Sequence, residues 1–81
     1  MNANDARIKA LKVNKEKDAA AYNAVKKQIA VLADDGKFEL VWEDYEKIKM
    51  TDNTITQLKK EGFACEREQT GMNEYGWRII W

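Results

Sequence analysis

The last stretch of the chain alternates in a way that a β-strand explains. Across residues 75–81, Tyr75, Trp77, Ile79 and Trp81 recur at a period of two, so a strand would place all four on one face. Free ends are ordinarily polar and loose. An end this apolar is expected to be packed into the core, and the chain is expected to be complete there. A core closed by such a strand needs partner strands and a covering layer, and the rest of the sequence is read for both.

A chain of 81 residues is read as one domain. At this size only about 60–65% of the unfolded surface becomes buried, so the core is small. Such domains lean on disulfides, metals or self-association. Cys65 is the single cysteine and there is no histidine, which leaves no intrachain disulfide and no ordinary zinc ligand set. Serine is missing as well, so Ser-His and Cys-His nucleophile pairs cannot be assembled. Fourteen basic and fourteen acidic residues give a formal net charge of zero, hence no global field toward nucleic acid or anionic membrane. No apolar run suggests a signal peptide or a membrane span, and the lone thiol fits a reducing cytosol.

The first 35 residues read as helix, with Asn4 as cap and Asp5 in the first turn. Ile8, Leu11, Lys15, Asp18, Tyr22, Val25, Ile29 and Leu32 follow one 3-4-3-4 frame. Its middle pair, Lys15 and Asp18, is charged. One long helix with a polar layer fits this pattern, as do two helices broken near Asn14. The break is the preferred reading, because a polar layer weakens a seam. Gly36 ends the region. Asp34 and Asp35 oppose the dipole of the last turn, without an evident reason.

Residues 37–43 read as a first strand with Phe38, Leu40 and Trp42 inward. Residues 44–49 read as a helical turn with Tyr45 and Ile48 on one side. A short helix capped by Thr51 or Asp52 runs to Glu61, with Ile55 and Leu58 inward. Gly62 then takes the left-handed position and Phe63 returns onto Leu58, as a Schellman motif requires. Residues 63–69 form a second strand with Phe63 and Cys65 inward, and a turn through residues 70–74 leads into the closing strand. The expected fold is α+β: an N-terminal helical region (residues 1–35) followed by a β-α-β-β unit (residues 37–81). Its three-stranded antiparallel sheet has order 1-3-2, with the most apolar strand central.

Four groups of residues invite a functional reading. Glu39, Glu43, Glu66 and Glu68 fall on the outer sheet face around Arg78, which fits cross-strand ion pairs better than an acid–base site. Cys65 reads as a buried structural thiol. Trp42, Tyr45, Tyr75, Trp77 and Trp81 read mainly as core, with one aromatic to spare for a binding surface. The helix of residues 51–61 and the hairpin behind it resemble the recognition helix and wing of a winged-helix domain, with Lys59 and Lys60 available to phosphates. A strand stands where that motif needs a helix, and Glu66, Glu68 and Glu74 on the hairpin oppose it.

The chain resembles a loose group of small, uncharacterised tailed-bacteriophage and prophage proteins. The resemblance lies in residues 2–7 (Asn-Ala-Asn-Asp-Ala-Arg), in Ile29 and residues 32–38 (Leu-Ala-Asp-Asp-Gly-Lys-Phe), in residues 58–63 (Leu-Lys-Lys-Glu-Gly-Phe) and in residues 76–81 (Gly-Trp-Arg-Ile-Ile-Trp). It implies a phage-encoded accessory protein, located in the host cytoplasm or the virion and acting as a virion component or a host-directed inhibitor, with no functional residue to carry over. The expected activity is protein–protein binding without enzymatic chemistry or cofactor. Ile8 and Leu11 on the helical stripe, and Val41, Arg78 and Ile80 on the outer sheet face, are the expected contact residues. Partners are expected to be a second copy of the chain and a phage or host protein, not nucleic acid or membrane. The alternative is a nucleic-acid-binding regulator using Lys59 and Lys60.

Overall fold

The computed structural model describes residues 2–81. Its elements are α1 (Ala3–Asp34), β1 (Glu39–Glu43), α2 (Asp52–Lys60), β2 (Ala64–Gly71) and β3 (Glu74–Ile80). The fold is α+β, and β1 and β2 both run antiparallel to the central β3 in the order β1-β3-β2. β1 and β2 are therefore parallel to each other, with α2 as the crossover between them.

The N-terminal region is one helix of 32 residues, not two. At about 1.5 Å per residue it is about 48 Å long, which accounts for the 50 Å longest dimension of the molecule. Asn2, rather than Asn4, is its cap: the backbone of Asn2 is extended and its Oδ1 accepts the Asp5 N–H at 2.9 Å. The helix runs through Asn14 without the expected break, and Asp18 beyond it is engaged rather than idle. Its carboxylate accepts Asn53 Nδ2 at 2.8 Å, and its carbonyl accepts Thr54 Oγ1 at 3.3 Å. Asp18 thus faces the N-terminal turn of α2, where the helix dipole favours an anion.

Both helices end in Schellman geometry. For α1, Lys37 N–H reaches Leu32 O at 2.9 Å and Gly36 N–H reaches Ala33 O at 3.0 Å, with Gly36 at φ +79°. For α2, Phe63 N–H reaches Leu58 O and Gly62 N–H reaches Lys59 O, both at 3.1 Å, with Gly62 at φ +97°. Thr51 caps α2 through the Thr54 N–H. Nothing in the structure explains Asp34 and Asp35.

The core lies between the inner sheet face and the two helices. Val25 and Ile29 of α1, Trp42 of β1, Leu58 of α2 and Ile79 of β3 form it, with Leu40, Met50, Phe63, Cys65 and Trp81 packed around them. Phe63 and Trp81 meet edge to face at 6.3 Å. Two residues expected inward are not buried. Phe38 is 71% exposed just ahead of β1, which begins at Glu39, two residues later than expected, and Tyr75 is 47% exposed near the hairpin end of β3, where the covering layer stops. β2 also starts and ends later than expected, leaving Met72 and Asn73 as the turn between Gly71 and Glu74. Residues 44–49 form turns and bends rather than a helical turn, and Tyr45 and Ile48 are exposed. This loop is tied down by Trp42, whose Nε1–H donates to Ile48 O at 2.9 Å.

Candidate functional site

Two surfaces lack the covering that the rest of the fold receives. The first is the N-terminal half of α1. Buried positions on this helix begin at Ala21, and every residue from 3 to 17 is exposed. Residues 3–17 amount to about 22 Å of helix, whose root borders shallow clefts at Lys15 and Lys17. Ile8 is 59% and Leu11 68% exposed, and Val13 is open as well. The expected contact residues of the helical stripe thus stand in solvent. The reason is geometric: the sheet and α2 are too short to cover a helix of this length, and they cover only its second half.

This arm also carries a local charge that the net value of zero hides. Arg7, Lys9, Lys12, Lys15 and Lys17 face only Asp5 and Glu16 along it, an excess of three positive charges. A windowed charge count was the sequence signal for this; the chain total averages it away.

The second surface is the outer face of the sheet. The register stacks three rows across it: Glu39, Ile80 and Ala64; Val41, Arg78 and Glu66; Glu43, Gly76 and Glu68. Arg78 occupies the centre, as expected, with Nε 3.3 Å from Glu39 and 3.2 Å from Glu68. The Nε–H is buried and aligned with neither carboxylate, so the pairing is one of charge rather than of a directed hydrogen bond. Val41 remains 36% exposed and Ile80 is half-buried, so an apolar strip lies beside the charges. Gly76 is required in the third row, since a Cβ there would sit 2.7 Å from Trp42 O. Over that bare position Thr70 donates to Glu43. Four glutamates against one arginine leave this face with an excess of three negative charges.

The other polar clusters link elements of the fold at the surface. Glu61 accepts Tyr22 Oη at 2.7 Å, Lys26 Nζ at 2.8 Å and Gln57 Nε2 at 3.3 Å, joining α1 to the end of α2. Lys26 and Tyr22 hold the Glu61 carboxyl below its usual range, while the same contacts raise Lys26 and Tyr22. Asp18 is lowered by its bond from Asn53. Arg67 grips Asp44 with two bonds of 2.7 and 2.6 Å and lies 5.4 Å over the Trp77 ring. That grip lowers Asp44 and raises Arg67. These long-range pairs escaped sequence reading because their partners are far apart along the chain.

Burial pushes the Cys65 thiol up, away from the thiolate that a nucleophile needs. Lys59 and Lys60 are exposed in the last turn of α2, where the helix dipole already favours cations. The segment before α2 is a strand and a loop, so the first helix of a helix-turn-helix is missing. Glu66, Glu68 and Glu74 stand on the hairpin that would be the wing. Among the described residues, no group of three His, Cys, Asp or Glu is placed to hold a metal ion, and no helix is long and apolar enough to cross a membrane.

No family model, no curated protein and no solved structure matches the chain.

Proposed function

We propose that this chain is a small non-enzymatic accessory protein that works by protein–protein binding, beginning with self-association through its helical arm. The observation that carries this reading is the exposure of Ile8 and Leu11 on an arm that no other element among the described residues covers. Exposed helix of this kind is marginal in water alone, since most helical stability in proteins comes from packing an apolar face. A second copy supplies that packing, and closed two-fold dimers are the commonest homo-oligomers. The chemistry of the side chains supports a binding role: with neither serine nor histidine, and with a thiol driven toward its neutral form, the usual nucleophile–base pairs are not available. The resemblance to small tailed-phage proteins supports a phage setting, as a virion component or a host-directed inhibitor that grips a phage or host protein.

Sedimentation equilibrium tests the reading directly. The parent chain is expected to show twice the monomer mass at micromolar concentration, and Leu11→Glu to sediment as a monomer with the near-UV dichroism of the packed tryptophans unchanged. A parent that stays monomeric throughout would overturn it.

A further inference from the structure

The two uncovered surfaces fit each other. The arm has an excess of three positive charges, and the outer sheet face an excess of three negative ones. Each also has an apolar strip within its charges: Ile8 and Leu11 flanked by Arg7, Lys12 and Lys15 on the arm, and Val41, Ile80 and Ala64 beside Glu39, Glu66 and Arg78 on the sheet. Within one molecule they cannot meet. α1 is continuous and packs on the inner face of the sheet, so its extension leaves the domain in the helix layer, on the far side of the sheet from the glutamates.

We propose that the arm of each copy lies across the acidic outer sheet face of a second copy, in a reciprocal exchange. This rests on the self-association proposed above and names its surfaces. A two-fold axis turns one copy over relative to the other. The helix layer of each then stands at the level of its partner's outer sheet face, and both arms seat in one closed, isologous dimer. Ile8 and Leu11 cover Val41 and Ile80, which removes apolar surface from water on both sides. Arg7, Lys12 and Lys15 meet Glu39, Glu66 and Glu68. The charges set orientation and partner choice, and the apolar strip supplies the holding contact.

Two charge variants of the full chain test the exchange, each first checked for parental thermal unfolding at a dilution where the parent is monomeric, since association itself raises the melting temperature. One reverses the arm (Arg7→Glu with Lys12→Glu). The other neutralises the sheet face on its exposed edge strand (Ala64→Lys with Glu66→Lys), where lysine is well tolerated. Dimer dissociation constants come from sedimentation equilibrium. Each variant alone is expected to associate about tenfold or more weakly than the parent. An equimolar mixture is expected to pair more tightly than either alone, because the basic arm of one then meets the acidic face of the other. Parental affinity in both variants, with no gain on mixing, would overturn the exchange while leaving self-association standing. A mass that climbs without limit would mean open chains and overturn the reciprocal closure. A monomeric parent would overturn the reading on which it rests, and an arm that instead shifts a labelled DNA duplex would assign it to nucleic acid.

Discussion

Glu61 joins two elements of this small fold through partners that lie far from it in sequence. It ties the exit of α2 to Tyr22 and Lys26 on α1, and the Lys26 ammonium lies 5.0 Å over the Phe63 ring that closes the same corner. Its carboxyl is held below the usual glutamate value of about 4.3. The stability it contributes is therefore complete above that value and is lost as pH falls through the lower folded one. Lys26 and Tyr22 are shifted up from their usual values of about 10.4 and 10. Their contributions are complete below those values and are lost as pH rises through the folded ones. Thermal melts across pH are expected to show a lower melting temperature near neutrality for Glu61→Ala. Its acid limb below about pH 4 and its alkaline limb above about pH 10 are expected to be shallower than the parent's. Parallel limbs would contradict this role. Local chemistry made some residues legible in sequence: Gly62 and Phe63 announce the end of α2 because a Schellman motif is written in adjacent positions. Asp18 was misread, since nothing near it in sequence reveals that Asn53 and Thr54 will stand opposite.

At the level of elements, the strands and α2 were legible because each carries its own period, cap or turn signal, and the order β1-β3-β2 followed from a parallel crossover joined to an antiparallel hairpin, with the apolar character of β3 in agreement. Ends were less so: Phe38 keeps the alternation of β1 but precedes the strand, and Tyr75 keeps that of β3 but lies beyond the helical cover. The continuity of α1 was obscured by the charged pair Lys15 and Asp18 in the middle of its seam. It is two regions in different environments, a packed half around Val25 and Ile29 and a solvated half around Ile8 and Leu11. Proline separates them experimentally. In a helix interior it costs roughly 3 kcal/mol, but that cost falls on the fold only where the helix is packed. At a dilution where the parent is monomeric, Ala10→Pro is expected to leave the urea midpoint near that of the parent, and at higher concentration to abolish self-association. Ala24→Pro, beside Val25 in the core, is expected to prevent folding. A large loss of stability from Ala10→Pro would show that the arm supports the monomer after all.

For the whole molecule, a zero net charge conceals opposite poles. The basic arm lies at one end of a 50 Å particle and the acidic sheet face lies outside its short domain. Both surfaces were named from sequence through Ile8, Leu11, Val41, Arg78 and Ile80. Their electrostatic fit was not, because it depends on which glutamates share a face and on which side of the sheet α1 packs. A small domain that leaves this much helix bare has an open face for the proposed second copy, and that proposal requires the arm to be covered on association. Amide hydrogen exchange of residues 3–17, followed across protein concentration, measures that cover directly. Protection of these residues is expected to rise with concentration while the Val25–Ile29 turn stays protected throughout. Fast exchange of the arm at every concentration, with the core unchanged, would contradict the account.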